Sequence, residues 1–211
     1  MKVILNILLV GAILLLTYMC YRSIMGNVEF TKERERREKA IQERLIDIRK
    51  AQIEFKNIHG YHAGSFEELA RFLNEEKLPF IRKEGSLTDE QLEKGMKEAE
   101  AIKLGLIRRD TIWVLAKDTL FGRDFNPAIL ADIPIEGVTK KFTLDTATIT
   151  SPSGYTVKVF ASGVLYDDYL NDLNRQELIN LKDKMSKLGR SYLGLRVGDV
   201  ENINNNAGNW E

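Results

Sequence analysis

The N-terminal segment of the chain is almost entirely apolar. From Val3 to Cys20 it reads VILNILLVGAILLLTYMC, in which Asn6 is the one strongly polar residue. A helix of about 18 residues, rising about 1.5 Å per residue, just spans a hydrocarbon core of about 30 Å. The pattern predicts a transmembrane anchor over residues 1–26, with residues 3–20 in contact with the lipid bilayer.

The end of the apolar run favours an anchor that is not cleaved. A secretory signal has a shorter apolar core and a cleavage site of small residues, whereas this run ends in the bulky sequence Tyr18-Met19-Cys20-Tyr21. Lipoprotein signals also carry small residues before the acylated cysteine, and Tyr18 and Met19 do not fit that pattern. A cleaved signal and a lipidated Cys20 are the alternatives.

Residues 27–60 have a helical pattern that changes along its length. Lys32 to Lys39 is charged on every side, as expected of a solvated stalk. Apolar residues then recur at spacings of three and four, which predicts one packed face. They are Ile41, Leu45, Ile48, Ala51, Phe55 and Ile58. We expect this face to pack partly on the chain's own sheet and partly on a partner helix, and Gly60 to end the helix. The candidate partner-binding residues are Ile41, Leu45, Ile48 and Phe55.

A soluble α+β domain is predicted over residues 61–201. Capping boxes at Ser65 and Thr88 predict two helices, the second reaching Leu104. Extended segments are expected at 78–81, 111–115, 119–121 and 192–197, and a last amphipathic helix over 167–188. Lys141–Ile149 and Tyr155–Phe160 alternate around a Ser-Pro-Ser-Gly turn, which predicts an antiparallel hairpin.

The last ten residues are rich in asparagine. We expect residues 202–211 to form a flexible tail. Trp210 is the exception, because tryptophan is favoured at binding hot spots. Trp210 is therefore a further candidate partner-binding residue, and docking on its own domain is the alternative.

The charge pattern does not determine on which side of the membrane the soluble domain lies, and it argues against nucleic-acid binding. The chain has 31 basic and 31 acidic residues and one cysteine. No net field attracts nucleic acid, and an intramolecular disulfide is impossible. After the anchor, Arg and Lys residues would favour a cytoplasmic domain by the positive-inside rule. Glutamates interleave with them, however, and Glu33–Arg37 and Glu35–Lys39 have the favourable i,i+4 order. We therefore expect a periplasmic domain, with the cytoplasmic orientation as the alternative.

The end of the long helix resembles a known family. Ala51-Gln52, the aromatic Phe55, Gly60-Tyr61 and the helix start Glu67-Glu68-Leu69 are similar to type II secretion pseudopilins and type IV pilins. The resemblance covers about the first 70 residues. It implies an apolar helix continuous with a stalk under an antiparallel sheet, and a location in the cell envelope. The chain departs from the family in the prepilin processing motif, since it has no acidic residue before Gly26.

Candidate catalytic and metal-binding residues are few. His59 and His62 straddle a helix end, and two histidines are too few for a metal site without a third ligand. Asp167, Asp168 and Asp172 stand at a predicted helix start, where acidic residues complement the helix dipole. The sequence contains no phosphate-binding loop, Gly-x-Ser-x-Gly elbow or His-Glu-x-x-His pair. We therefore predict no catalytic, metal or cofactor site.

These observations predict a non-enzymatic, single-pass membrane protein of the bacterial-type inner membrane. It would act as an assembly or scaffold component of pilin-like architecture, with protein partners or copies of itself bound through the stalk. A membrane-tethered enzyme using Asp167, Asp168 and His62 is one alternative. A cytoplasm-facing regulator is the other.

Overall fold

The chain folds into two compact units of mixed α and β structure. A computed structural model describes residues 2–88, 91, 95, 97–151 and 154–211. The first unit joins the chain up to Gly64 with Leu130–Glu211, and the second is Ser65–Ile129. Both contain helices and antiparallel strands, which confirms the predicted α+β class.

One helix, α1 (Lys2–His59), contains both the apolar segment and the charged segment. Its 58 residues correspond to a length of about 87 Å. Near the N-terminus it is long and apolar enough to cross a membrane, and none of its most apolar 18-residue window is buried. Gly60 ends it at a φ of +75°, a conformation that costs glycine little because it has no Cβ.

The second unit starts with the predicted helix at Ser65. The Ser65 side chain accepts a hydrogen bond from the Glu68 N–H at 3.2 Å, which caps α2 (Phe66–Glu75). Leu69 and Phe72 are buried on its inner face. The expected extended segments 78–81 and 111–115 are confirmed as parts of β1 (Lys77–Glu84) and β2 (Arg108–Leu115), which pair antiparallel.

The remaining helices of this unit differ in part from the prediction. The helix expected from Thr88 to Leu104 falls partly outside the described residues, and its last turns are α3 (Glu98–Lys103). The extended segment expected at 119–121 is wrong, because α4 (Ala116–Leu120) is helical there. Thr119 donates to the Leu115 carbonyl and Phe121 N–H to the Lys117 carbonyl, so local helical bonds satisfy this backbone.

A three-stranded antiparallel sheet forms the described β structure of the first unit. Its order is β3 (Thr143–Thr150), β4 (Thr156–Leu165), β5 (Gly194–Gly198). In the register of the hairpin, Thr150 lies opposite Thr156 and Thr143 opposite Gly163. The predicted hairpin is therefore confirmed, although two of its turn residues, 152 and 153, lie outside the described residues.

The sheet packs on the second half of α1. Contacts join α1 to β4 and β5, and the predicted apolar face is buried from Ile41 to Phe55. Ile58 departs from the prediction, since its side chain is 48% exposed. Burial also extends toward the apolar segment, to Phe30 and Arg37. The charged segment is therefore part of the domain core on one face rather than a stalk solvated on every side.

The prediction of a single helix over residues 167–188 is wrong. The chain forms α5 (Tyr166–Tyr169), breaks, and resumes as α6 (Arg175–Lys187). Asn174 causes the restart, because its side chain accepts hydrogen bonds from the N–H groups of Gln176 and Glu177. The break between α5 and α6 exposes a loop carboxylate, Asp172, to α1.

Candidate functional site

A charge cluster holds the α5–α6 loop on α1. Arg37 is 7% exposed, and its guanidinium donates to both Asp172 oxygens at 2.6 and 2.7 Å. It also donates to the Tyr169 carbonyl at 2.6 Å and to Glu33 at 2.7 Å. Such a bidentate pair fixes both position and orientation. Hydrogen bonds from Arg36 and Arg37 lower the pKa of Glu33 to about 2, and Arg37 also lowers the pKa of Asp172.

A second, more buried set of polar groups adjoins this cluster. Burial raises the pKa of Glu38, which lies 3.6 Å from the Arg34 Nε. The Tyr169 hydroxyl donates to Glu38 at 3.4 Å. Burial, followed by the charge of Glu38, raises the pKa of Tyr169. Glu38 thus accepts a hydrogen bond from Tyr169 and forms an ion pair with Arg34, so burial against α5 and these neighbours accounts for the shifted pKa values.

We expect Asp172→Ala to lower the free energy of unfolding by about 2 kcal/mol, since bonds to charged groups contribute about 1.5–3 kcal/mol and this carboxylate is half exposed. Asp183→Ala, an exposed site on α6, is the matched control and should change it by less than about 0.5 kcal/mol. Urea unfolding of the full-length protein in detergent micelles measures both. Equal effects of the two variants would contradict a role of Asp172 in holding this loop.

The Gln52 side chain holds the segment that follows α1 against the helix. Gln52 is fully buried, and its side chain accepts from the Ala63 N–H and donates to the Ala63 carbonyl, each at 3.0 Å. This pair satisfies both backbone groups of a buried residue. Gln52 thus holds residues 60–63 folded back onto the helix.

This fold-back places His62 against the sheet. His62 is 4% exposed and packs against Phe160, with the two rings tilted and their centroids 4.8 Å apart. Neither ring nitrogen has a hydrogen-bond partner. Burial, assisted by the charge of Lys56, lowers its pKa to about 4. Backbone groups of Gln52 and Lys158 oppose this shift without forming a hydrogen bond of normal geometry.

Beside His62 lies an open groove of about 310 Å³, which we call the Tyr61 groove. It is lined by Tyr61, His62, Thr146, Ala147, Thr148, Lys158 and Val159. The Lys158 ammonium lies 5.6 Å from the centre of the Tyr61 ring. The groove therefore offers a bound group a cation, an aromatic ring and two hydroxyls.

The Asn-rich segment is bonded to the sheet. Asn209 donates from its side chain to the Gly194 carbonyl at 2.9 Å and accepts from the Arg196 N–H at 3.1 Å. The Gly198 N–H donates to the Ala207 carbonyl at 3.0 Å. The Glu211 carboxylate accepts from Arg49 on α1 at 2.7 Å. In this structure the segment that we expected to be flexible therefore covers the outer edge of β5.

We expect Asn209→Ala to weaken this edge by about 1–2 kcal/mol, the net contribution of one or two hydrogen bonds. Amide exchange at Arg196 and Gly198 should accelerate about tenfold for each 1.4 kcal/mol. Asn202→Ala, whose side chain bonds only locally to Asp199, is the control and should leave both amides unchanged. Unchanged exchange in Asn209→Ala would show that the segment does not protect β5.

The residues considered for catalysis are not brought together. Asp167 pairs with Lys182 at 2.6 Å, and Asp168 pairs with Lys140. His62 lines the Tyr61 groove, which contains neither aspartate. His59 packs against Phe55, with the two rings tilted and their centroids 4.3 Å apart. Within the described part of the chain, no three residues of metal-ligating type are grouped as a metal site would require.

The five candidate partner-binding residues all lie in the first unit. Ile41, Leu45 and Ile48 are completely buried, and Phe55 is 2% exposed, so the chain's own core surrounds them. Trp210 is half buried beside Gly208. Their assignment to a partner interface stays a prediction. Sequence analysis missed Arg37, which joins α1 to Tyr169 and Asp172 more than 130 positions away. It noted Gln52 but not that its side chain bonds to Ala63.

Comparisons with known proteins do not place the chain in a family. No protein-family model, no curated protein and no solved structure matches it. The functional argument therefore depends on the geometry of this chain.

Proposed function

We propose that this protein is a non-enzymatic, single-pass membrane protein that serves as an assembly or scaffold component. The observation that carries the proposal is that one helix contains both the exposed apolar segment and the core face of the domain. Phe30 is the first buried residue of α1 among those whose exposure the structure describes, and it follows Tyr21 by nine positions without a break in the helix. A domain attached in this way is held at a fixed height and orientation, as a scaffold requires.

The use of the ionisable groups supports a structural role. Arg37 donates hydrogen bonds to both Asp172 and Glu33, and the Tyr169 hydroxyl donates to Glu38. The carboxylates considered for catalysis pair with surface lysines.

We further propose the bacterial-type inner membrane, a periplasmic domain and a pilin-like layout. Two features support this: a long helix packed under an antiparallel sheet, and Gln52 and Gly60 acting together at the helix end. The orientation is supported by the pairing of Arg36 and Arg37 with Glu33, which offsets the cations that follow the anchor.

Reporter fusions after Glu211 test the orientation. Alkaline phosphatase, active only in the periplasm, should be active, and green fluorescent protein exported through the same pathway should be dark. The reverse pair of results would overturn the periplasmic assignment and favour a cytoplasm-facing regulator.

Crosslinking of the full-length protein in intact cells tests the scaffold role. We expect adducts with envelope proteins or with further copies of the chain. A matched variant, in which a Leu-Ala sequence of equal length replaces residues 3–20, should keep the adducts that the domain makes. The absence of adducts under every crosslinking chemistry would contradict the proposal.

A further inference from the structure

The two edges of the three-stranded sheet differ in whether other residues of the chain cover them. The outer edge of β5 is covered by residues 207–209. Along residues 143–150, β3 pairs only with β4 among the described strands. An edge strand presents unpaired backbone N–H and C=O groups to any extended chain that approaches it. The edge of β3 is therefore the place where this sheet can accept another strand.

The Tyr61 groove lies beside this open edge, on one face of the sheet. Thr146 lies opposite Phe160 and Thr148 opposite Lys158, so these four side chains share a face. Thr146 and Thr148 are exposed, and both line the groove. A strand added to β3 would direct every second side chain over this groove.

The groove is positively charged. Among the described residues that line it, Lys158 is the charged one and none carries a carboxylate. Lys56 adds a second positive charge nearby, because its ammonium donates to the Lys158 carbonyl at 2.8 Å. A negatively charged side chain entering beside Lys158 would form a charge-assisted contact.

We propose that the edge of β3 binds an extended segment of a partner protein, with an acidic side chain of that segment in the Tyr61 groove beside Lys158. This inference rests on the proposed function, since it names the partner contact of a scaffold component. Backbone pairing supplies affinity in such strand addition, and the pocket for alternate side chains supplies specificity.

Charge argues against a second copy of the same strand as the occupant. The acidic residue of β3 is Asp145, which lies opposite Ala161 and thus on the other face of the sheet from Thr148 and Lys158. In antiparallel pairing of two copies about a twofold axis, each face of the sheet continues into the same face of the other copy. Asp145 of a second copy would therefore stay on the opposite face from Lys158.

Peptide binding to the full-length protein in nanodiscs tests the proposal. The probe is a fluorescein-labelled seven-residue peptide of alternating valine and threonine with a central glutamate. The control peptide is identical except that its central residue is lysine. Fluorescence anisotropy should show about tenfold tighter binding of the glutamate peptide, as expected for a charge contact of about 1.4 kcal/mol. Equal affinities, or no binding of either peptide, would overturn it.

Charge reversal in the protein makes the test specific. Lys158→Glu should reverse the preference between the two peptides. Lys158→Gln is the second variant, used if Lys158→Glu does not fold, and it should abolish the preference. Lys187→Glu, an exposed lysine on α6 outside the groove, is the control and should keep the preference. Preference unchanged in Lys158→Gln would contradict the proposal.

A disulfide experiment distinguishes binding of a partner segment from pairing with a second copy of the chain. In a Cys20→Ser background, Thr148→Cys should not form a disulfide between copies, and an efficient disulfide would overturn the proposal in favour of self-pairing. Peptide results against the proposal would leave the scaffold role standing, because topology and envelope adducts are measured without the groove.

Discussion

We expect Leu45→Ala to lower the free energy of unfolding by about 3–5 kcal/mol, the range for a buried leucine whose removal leaves a cavity. Leu45 is completely buried at the centre of the α1 face that packs on the sheet. Its neighbours on that face, Ile41 and Ile48, are also completely buried, so little side-chain movement can fill the space. Urea unfolding of the full-length protein in detergent micelles measures the loss.

The matched control for Leu45→Ala is Ile53→Ala, on the same helix. Ile53 is 37% exposed, so we expect its truncation to cost about 1 kcal/mol. Near-equal losses at the two positions would show that α1 does not pack on the sheet through the Ile41–Phe55 face.

We expect the protein to lose about 3 kcal/mol of stability between pH 6.5 and pH 4 because of His62. Its pKa falls from 6.5 to about 4 on folding, mainly through burial. In that window the unfolded chain takes up a proton that the folded protein does not, so stability falls as the pH falls. Above pH 6.5 both states hold a neutral imidazole, and the effect disappears.

Unfolding curves from pH 4 to pH 8 measure this dependence. His62→Phe should keep most of the stability at pH 7, since it preserves ring packing on Phe160, and should remove the fall toward pH 4. His59→Gln, at an exposed position, should keep the fall. Glu33 acts in a lower window, because its folded pKa is about 2 and its contribution is lost only below about pH 4.5. A fall that persists in His62→Phe would contradict the burial of an unpartnered imidazole.

Local patterns predicted the parts of this fold that local chemistry determines. The three- and four-residue spacing from Ile41 to Phe55 identifies the buried face of α1, because α-helical geometry places those residues on one side. Ser65 marks the start of α2, since its side chain caps an N–H group three residues away. The Ser-Pro-Ser-Gly turn marks the hairpin for a similar local reason.

Long-range pairing is what the sequence could not reveal. Arg37 stands in a run of charges that reads as solvated, yet it is buried because Asp172 and the Tyr169 carbonyl meet it from 132 or more positions away. Tertiary contacts override a polar pattern in this way. The tail was missed for the same reason, since Asn209 finds its partners on β5.

The division of the helix predicted over 167–188 had a local signal in the sequence. Asn174 stands three residues before Glu177 and caps α6, a spacing typical of a helix start. It divides the helix predicted over 167–188. The candidate site depends more on long-range geometry than the helix boundaries do. The Tyr61 groove combines the residues that follow α1 with two strands more than 80 residues later in the chain.

The central claim is that α1 runs as one rigid helix from the membrane into the domain core. Its most direct test is a pulsed electron–electron resonance distance between spin labels at Val10 and Glu43, in a Cys20→Ser background in nanodiscs. The two positions lie 33 residues apart, so a continuous helix predicts a narrow distribution centred at about 50 Å. A broad distribution, or one centred well below that distance, would show a hinge between anchor and domain and contradict the account.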